Sequence, residues 1–349
     1  MATVHFHLAD EARRRHGLVL ERLGFGPQAR SARNVATFPA GRLIAYQSAR
    51  AAAATVLIVP APIKTAYIWD LAPGVSALQR FLDGGLQVYL LEWKRPAPGD
   101  EVLGLAQYAE ETILPSVEAI RAETGERRVF LAGHSLGGTF NAIFASLHPR
   151  LARGLLALEA PIAFGAGALD AAVARAPHAS VVGATFGNVP GSFIDVASGC
   201  ADPRAFNAEP VLDWLQSLPS AEARALHLRV RRWSLDEMPM TRQLFEDVSE
   251  LLYRENRFVR RELRFAGRLA DPRALDMPIL AVLDPRSSTV PAPSMHAYRW
   301  ATGNRDVELL DYLGDRGVML QHVGVLVGPG AHQSLWPRIV AWMTGKSRD

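Results

Sequence analysis

Short, unbroken apolar runs alternate along the chain with segments whose apolar residues recur every three to four positions. Residues 55–59 (Thr-Val-Leu-Ile-Val) form one such run, closed by Pro60-Ala-Pro62. Similar runs follow at 87–93, 129–132, 154–158, 278–283 and 307–310. A strand that is apolar on both faces belongs inside a parallel sheet covered by helices on each side. The intervening segments predict those helices. Residues 76–82 are stopped by Gly84-Gly85; 104–123 carry Leu105, Tyr108, Ile113, Val117 and Ile120 at helical spacing; 138–147 and 336–342 follow suit. Residues 1–50 read as a helical lead-in followed by a strand at 42–46. The alternation predicts an α/β chain with a doubly wound, mostly parallel sheet.

One stretch breaks the rhythm. Residues 164–276 are helical around 240–253, rich in Pro and Gly elsewhere, and lie between two late strands. They predict a cap inserted over the strand ends, which leaves residues 1–163 and 277–349 as the core. There is no internal repeat, and the only biased tract is the alanine run 51–54.

The run 129–138 carries the chemistry. A strand of the Val-Phe-Leu-Ala type enters Gly133-His134-Ser135-Leu136-Gly137, a GxSxG pattern, and leaves as a helix. Flanking glycines allow the sharp turn of a nucleophile elbow, which exposes the serine hydroxyl. The Leu136 N–H, at the start of the helix, then faces the position where an oxyanion would form.

Composition narrows the remaining choices. With 349 residues, 49% of them hydrophobic, the chain can bury one large core with an inserted subdomain. It lacks an apolar run long enough to span a bilayer, and its N-terminus lacks the pattern of a secretory signal. The single cysteine, Cys200, excludes an internal disulfide and fits a reducing compartment, so a cytoplasmic location is expected. The net charge is only +3, and all but three of the 38 basic residues are arginine. The arginine clusters at 13–15, 229–232 and 260–261 are interleaved with acids or apolar residues. They read as solvated surface, not as a nucleic-acid footprint.

Several segments beyond the elbow resemble the polyhydroxyalkanoate synthases, above all the short catalytic subunits that work with a second subunit. These segments are Tyr67-Ile-Trp-Asp-Leu71, Val88-Tyr-Leu-Leu-Glu-Trp93, Gly187-Asn-Val-Pro-Gly191, Arg232-Trp233, Tyr253-Arg-Glu-Asn-Arg257 and Gln321-His-Val-Gly-Val325. The resemblance covers roughly residues 40–345 and implies the α/β-hydrolase fold. It also implies an acyl-coenzyme A or polyester substrate and, as partner, a second copy or a synthase-type second subunit. Two catalytic positions differ. Ser135 stands where the family has its cysteine nucleophile, and Ser287-Ser288 stand where it has Asp-His.

Serine needs an adjacent base. His322 follows the last strand and matches the family's catalytic histidine. His5, His7 and His16 precede the sheet and read as surface residues, His332 as part of a surface loop, and His134 as a pocket-shaping neighbour of the nucleophile. Two carboxylates compete to orient the base. Asp284 ends a late strand, close to the usual acid position, but also opens an Asp-Pro turn. Glu159 ends the buried strand 154–158, where a carboxylate is costly without a partner. Leu158-Glu159-Ala-Pro161 resembles the strand end that supplies the acid in haloalkane dehalogenases, which favours Glu159. Pro62 has no N–H, so Ile63 is the candidate second oxyanion donor beside Leu136. Trp69, Trp93 and Trp233 are candidates to line an acyl pocket.

The reading is a serine acyl hydrolase acting on a carboxylic ester or hydroxyacyl thioester, with no metal or other cofactor. The alternatives are a synthase-like acyltransferase using hydroxyacyl-coenzyme A and a non-catalytic polyester-granule protein.

Overall fold

A computed structural model describes residues 2–28, 30–47 and 54–347. Residues 51–53 of the alanine run lie outside the described residues. Eight strands make the central sheet: β1 (Arg33–Phe38), β2 (Gly41–Tyr46), β3 (Ala54–Val59), β4 (Leu86–Trp93), β5 (Val129–His134), β6 (Ala152–Leu158), β7 (Ile279–Leu283) and β8 (Val307–Asp311). Their spatial order is β1-β2-β4-β3-β5-β6-β7-β8. β2 runs antiparallel to both neighbours, and every pair from β4 to β8 is parallel. The hairpin strand β1 had no counterpart among the predicted runs, because its residues (Arg-Asn-Val-Ala-Thr-Phe) are mostly exposed and carry little apolar signal.

The continuous apolar runs have the expected cause. In β3, Leu57 and Val59 join one buried cluster while Val56 and Ile58 join the other, across the sheet. Both faces of the strand are buried, so no polar position interrupts it from Val56 to Val59. Helices Ile113–Thr124 and Leu136–Leu147 cover the first face. Helices Ala77–Asp83 and Trp336–Lys346 cover the second.

The segment between β6 and β7 is more helical than its composition suggested. It holds Ala168–Arg175, Ala179–Phe186, Gly191–Ala201, Glu209–Ser217, Ala221–Ser234 and Arg242–Asp247. Its two ends are stitched together by Asn256, whose side-chain amide donates to Phe164 O (2.9 Å) and accepts from Phe164 N (3.1 Å). Asn256 sits at φ 51°, a region that asparagine tolerates better than most residues.

Helix Ala2–Leu20 packs with this segment. Asp10 accepts from Ser192 N at 2.8 Å, and Phe6 meets Phe193 edge-on at 5.4 Å. Arg13 pairs with the fully buried Glu237, which also holds Lys64 at 2.9 Å. No helix among the described residues is long and apolar enough to cross a membrane.

Candidate active site

Strand register assembles the site. His134 pairs with Leu158 across β5 and β6, and Leu158 pairs with Val282 across β6 and β7. Ser135 and Glu159, each the first residue past its strand, therefore emerge side by side at one sheet edge, with Asp284 just beyond Leu283.

Ser135 takes φ 54° and ψ −135° at the start of helix Leu136–Leu147. Such a conformation costs a non-glycine residue about 1–3 kcal/mol, so its surroundings must enforce it. They do so by close backbone packing. A Cβ on Gly137 would lie 2.0 Å from Val59 O, and one on Gly133 would lie 2.4 Å from Gly138 N. The turn is then locked by Ser135 N donating to Leu158 O at 3.0 Å and by Gly138 N donating to Ser135 O at 3.0 Å. Ser135 is half-buried. Leu136 is the first helical residue, so its N–H has no partner within the helix and remains open to a developing oxyanion. Ile63 lies in the turn after β3, and the start of that turn abuts the elbow through Val59 and Pro60.

Glu159 also has positive φ, at 45°, and no solvent exposure. Its N–H donates to Val282 O at 2.8 Å, and one carboxylate oxygen accepts from Asp284 N. The other oxygen, Oε2, lies 3.6 Å from Nδ1 of His322. Neither of these two buried atoms has a hydrogen-bond partner. Each orphan faces the other across a gap slightly longer than a hydrogen bond. Asp284 is engaged elsewhere: its carboxylate accepts from Arg286 N, Nε and Nη2, each at 2.9 Å.

His322 is the second residue of helix Gln321–Val327. His134 packs on it, with ring centroids 4.5 Å apart, and His134 Nε2 lies 2.7 Å from His322 O. A carbonyl can only accept, so the His134 proton sits on Nε2. Burial, then the neighbouring imidazole, hold His134 well below the ordinary histidine range, and it is neutral. Burial lowers His322 to about 4. Burial also raises Glu159 to about 8, against the opposing hydrogen bond from Asp284 N. Near neutral pH the resting pair therefore favours a protonated carboxyl beside a neutral imidazole.

No protein-family model matches the chain. Among curated proteins it is similar to a poly(3-hydroxyalkanoate) polymerase subunit PhaC of Haloferax mediterranei, 28% identical over 84% of this chain and 59% of that protein. A polymerase subunit of the same name from Synechocystis is 28% identical over 83% of this chain and 77% of the relative. One from Thiocystis violacea is 25% identical over 84% and 81%. The chain thus spans about three fifths of the Haloferax protein's length. Among solved structures, a putative lipase from Sulfolobus solfataricus overlays with a TM-score of 0.57 at 14% identity, covering 91% of this chain and 100% of the other. A monoacylglycerol lipase from Paleococcus ferrophilus overlays at 0.55 and 16%, covering 84% and 94%. The chain has the α/β-hydrolase fold. The resemblance to polyhydroxyalkanoate synthases read from its motifs extends over most of its length.

Within this fold the three tryptophans are buried, and two of them brace the chain. Trp93 Nε1 donates to Pro60 O at 2.7 Å and Trp233 Nε1 to Thr65 O at 2.8 Å, so both hold the segment that contains Ile63. Trp69 is 1% exposed. Trp69 and Trp93 do border a cavity of about 550 Å³, but its other walls include Tyr46 and Asp70, and Ser135 does not line it.

One expectation is corrected. His332 is not in a surface loop: it is 2% exposed, stacked on Trp336, with Nε2 donating to Leu326 O at 2.8 Å. The Gly-Pro-Gly spacing around it suggested a turn, and the turn is present, but it is folded under the helix that carries His322.

Sequence reasoning also missed Asp213 and His227, a buried pair on two cap helices with Nδ1 to Oδ2 at 2.6 Å. No local pattern distinguishes Asp213 from an ordinary exposed helix residue, since two of its three donors, Gly317 N and Met319 N, lie 104 and 106 positions later.

Proposed function

We propose that the chain is an enzyme that cleaves a carboxylic ester or hydroxyacyl thioester through an acyl intermediate on Ser135. His322 takes the serine proton, Glu159 stabilises the resulting imidazolium, and the Leu136 and Ile63 N–H groups receive the oxyanion. The observation that carries this reading is the strained serine elbow set beside two buried polar atoms, Glu159 Oε2 and His322 Nδ1, that lie 3.6 Å apart with no hydrogen-bond partner. Proton transfer from Ser135 to His322 would place charge on that ring, and a buried carboxylate is the group that lowers its energy. His322 then gives that proton to the departing alcohol or thiol as the acyl-serine forms; water, deprotonated in turn by His322, attacks the acyl carbon, and the proton returns to Ser135 Oγ as the carboxylic acid leaves.

A second reading, transfer of hydroxyacyl groups from coenzyme A to a growing polyester, is favoured by the similarity to polymerase subunits over most of the chain. Against it stands the nucleophile, because an oxygen ester exchanges less readily than a thioester. Incubation with 3-hydroxybutyryl-coenzyme A separates the two. Release of coenzyme A with free 3-hydroxybutyrate supports hydrolysis, whereas polymer without free acid supports transfer. No coenzyme A release and no cleavage of p-nitrophenyl esters of graded chain length would overturn both.

A further inference from the structure

The loop that delivers His322 leaves the sheet at Asp311 and runs to Leu320 before the histidine's helix begins. It is strained where it approaches that helix: Gly317 has φ 81° and Met319, three residues before His322, has φ 60°. Part of its anchorage is in the core, where Val318 and Met319 are buried and Asp315 is bonded to Gln321, Gly330 and Ala331; the rest comes from the segment between β6 and β7. Asp213, on cap helix Glu209–Ser217, is 5% exposed and accepts from Gly317 N at 2.8 Å, Met319 N at 3.0 Å and His227 Nδ1 at 2.6 Å. His227 lies on the next cap helix, Ala221–Ser234. The same helix meets the loop directly, since a Cβ on Gly317 would lie 2.6 Å from Ala223 O.

We propose that Asp213, oriented by His227, is a positioning residue through which the cap sets the place of His322. The inference rests on His322 being the base. Its physical basis is that a buried carboxylate with three donors is a fixed point, whereas positive φ at Met319 is unstable without one. Two N–H groups that no helix or strand satisfies are thereby paired, and the chain is aimed into the helix at His322. Asp213 touches no reacting atom. Its contribution is the registration of the imidazole against Ser135 and Glu159, where an error of an ångström costs about 10²-fold in rate. A cap that shifted would carry the histidine with it, so substrate binding under the cap and readiness of the base are linked.

The test is a double-mutant cycle read by the rate of Ser135 labelling with an alkyl fluorophosphonate, with melting temperature recorded for each variant. His322→Ala should slow labelling by about 10³-fold or more. Asp213→Asn should slow it by about 10- to 100-fold, and the double variant should be no slower than His322→Ala alone, because Asp213 acts only through the histidine. If His322→Ala labels at the wild-type rate, the assignment of the base has failed, and the inference with it. If His322→Ala is slow but Asp213→Asn is within twofold of wild type, or if the two losses multiply, the base stands and the positioning role is wrong. Should Asp213→Asn not fold, His227→Phe keeps the ring packed on Trp214 and removes only one donor. It should slow labelling several-fold, again only while His322 is present, and a wild-type rate would overturn the proposal.

Discussion

The two halves of the candidate site are built in opposite ways. The nucleophile half is local: Gly133, Ser135, Gly137 and Gly138 lie within six residues, and their geometry follows from backbone atoms that touch. The acid–base half is assembled from Glu159, Asp284 and His322, which come from three elements spread over more than 160 positions, with Asp213 behind them on the cap. The first half is rigid because no side chain larger than hydrogen fits at its glycines. The second is held by a few hydrogen bonds to buried carboxylates, and its key contact is 3.6 Å long. Sterics therefore fix Ser135, while hydrogen bonds and the electrostatics of buried carboxylates set the surroundings of His322.

That contrast can be broken by substitution. Ser135→Ala should have the largest effect, abolishing fluorophosphonate labelling and lowering turnover by about 10⁴-fold or more. Glu159→Gln should lower turnover by about 10³-fold, while Asp284→Asn, whose carboxylate serves Arg286, should cost less than about tenfold. Equal losses in the two variants would mean that the acid is shared. On the steric side, Gly137→Ala should destabilise the fold by about 3 kcal/mol, read by denaturant unfolding, because the obstructing atom is the Val59 backbone carbonyl. A near-neutral result would show that the elbow is less confined than its contacts imply.

The burial of Glu159 also predicts a pH dependence of stability. The folded-state pKa of Glu159 is raised to about 8 by burial, so folding favours its protonated form. That contribution is complete below the carboxyl's unfolded value, about 4.3. It declines as pH rises from there through about 8. Glu159→Gln should flatten this part of the curve and be the more stable protein at pH 8. A wild type and variant that lose stability in parallel would place the carboxylate in a wetter setting.

What was legible in the sequence divides along the same line. The sheet strands from β2 onward and the tight turn at Ser135 could be read because apolar runs and glycines act on near neighbours. Glu159 stood out only because a carboxylate ending a buried strand is costly, and its proximity to His322 depends on the register of β5, β6 and β7. The strand β1 was missed because half-exposed hairpin residues carry no strong pattern. The burial of His332 and the surroundings of Asp213 could not be read, because His332 also takes a hydrogen bond from Arg80, 252 positions earlier, and Asp213 accepts from Gly317 and Met319, 104 and 106 positions later.

The central claim is that Glu159 governs His322, and the pH dependence of Ser135 labelling tests it most directly. Only with Glu159 ionised can its carboxylate accept the His322 Nδ1 proton and leave Nε2 free to act as base. The rate should therefore rise with pH through an ionisation near 8, with His322 itself, lowered to about 4, already neutral across that range. In Glu159→Gln that ionisation should vanish, leaving a slow and flat profile, while Asp284→Asn should keep it. An ionisation near 8 that survives in Glu159→Gln, or that disappears in Asp284→Asn instead, would contradict the account.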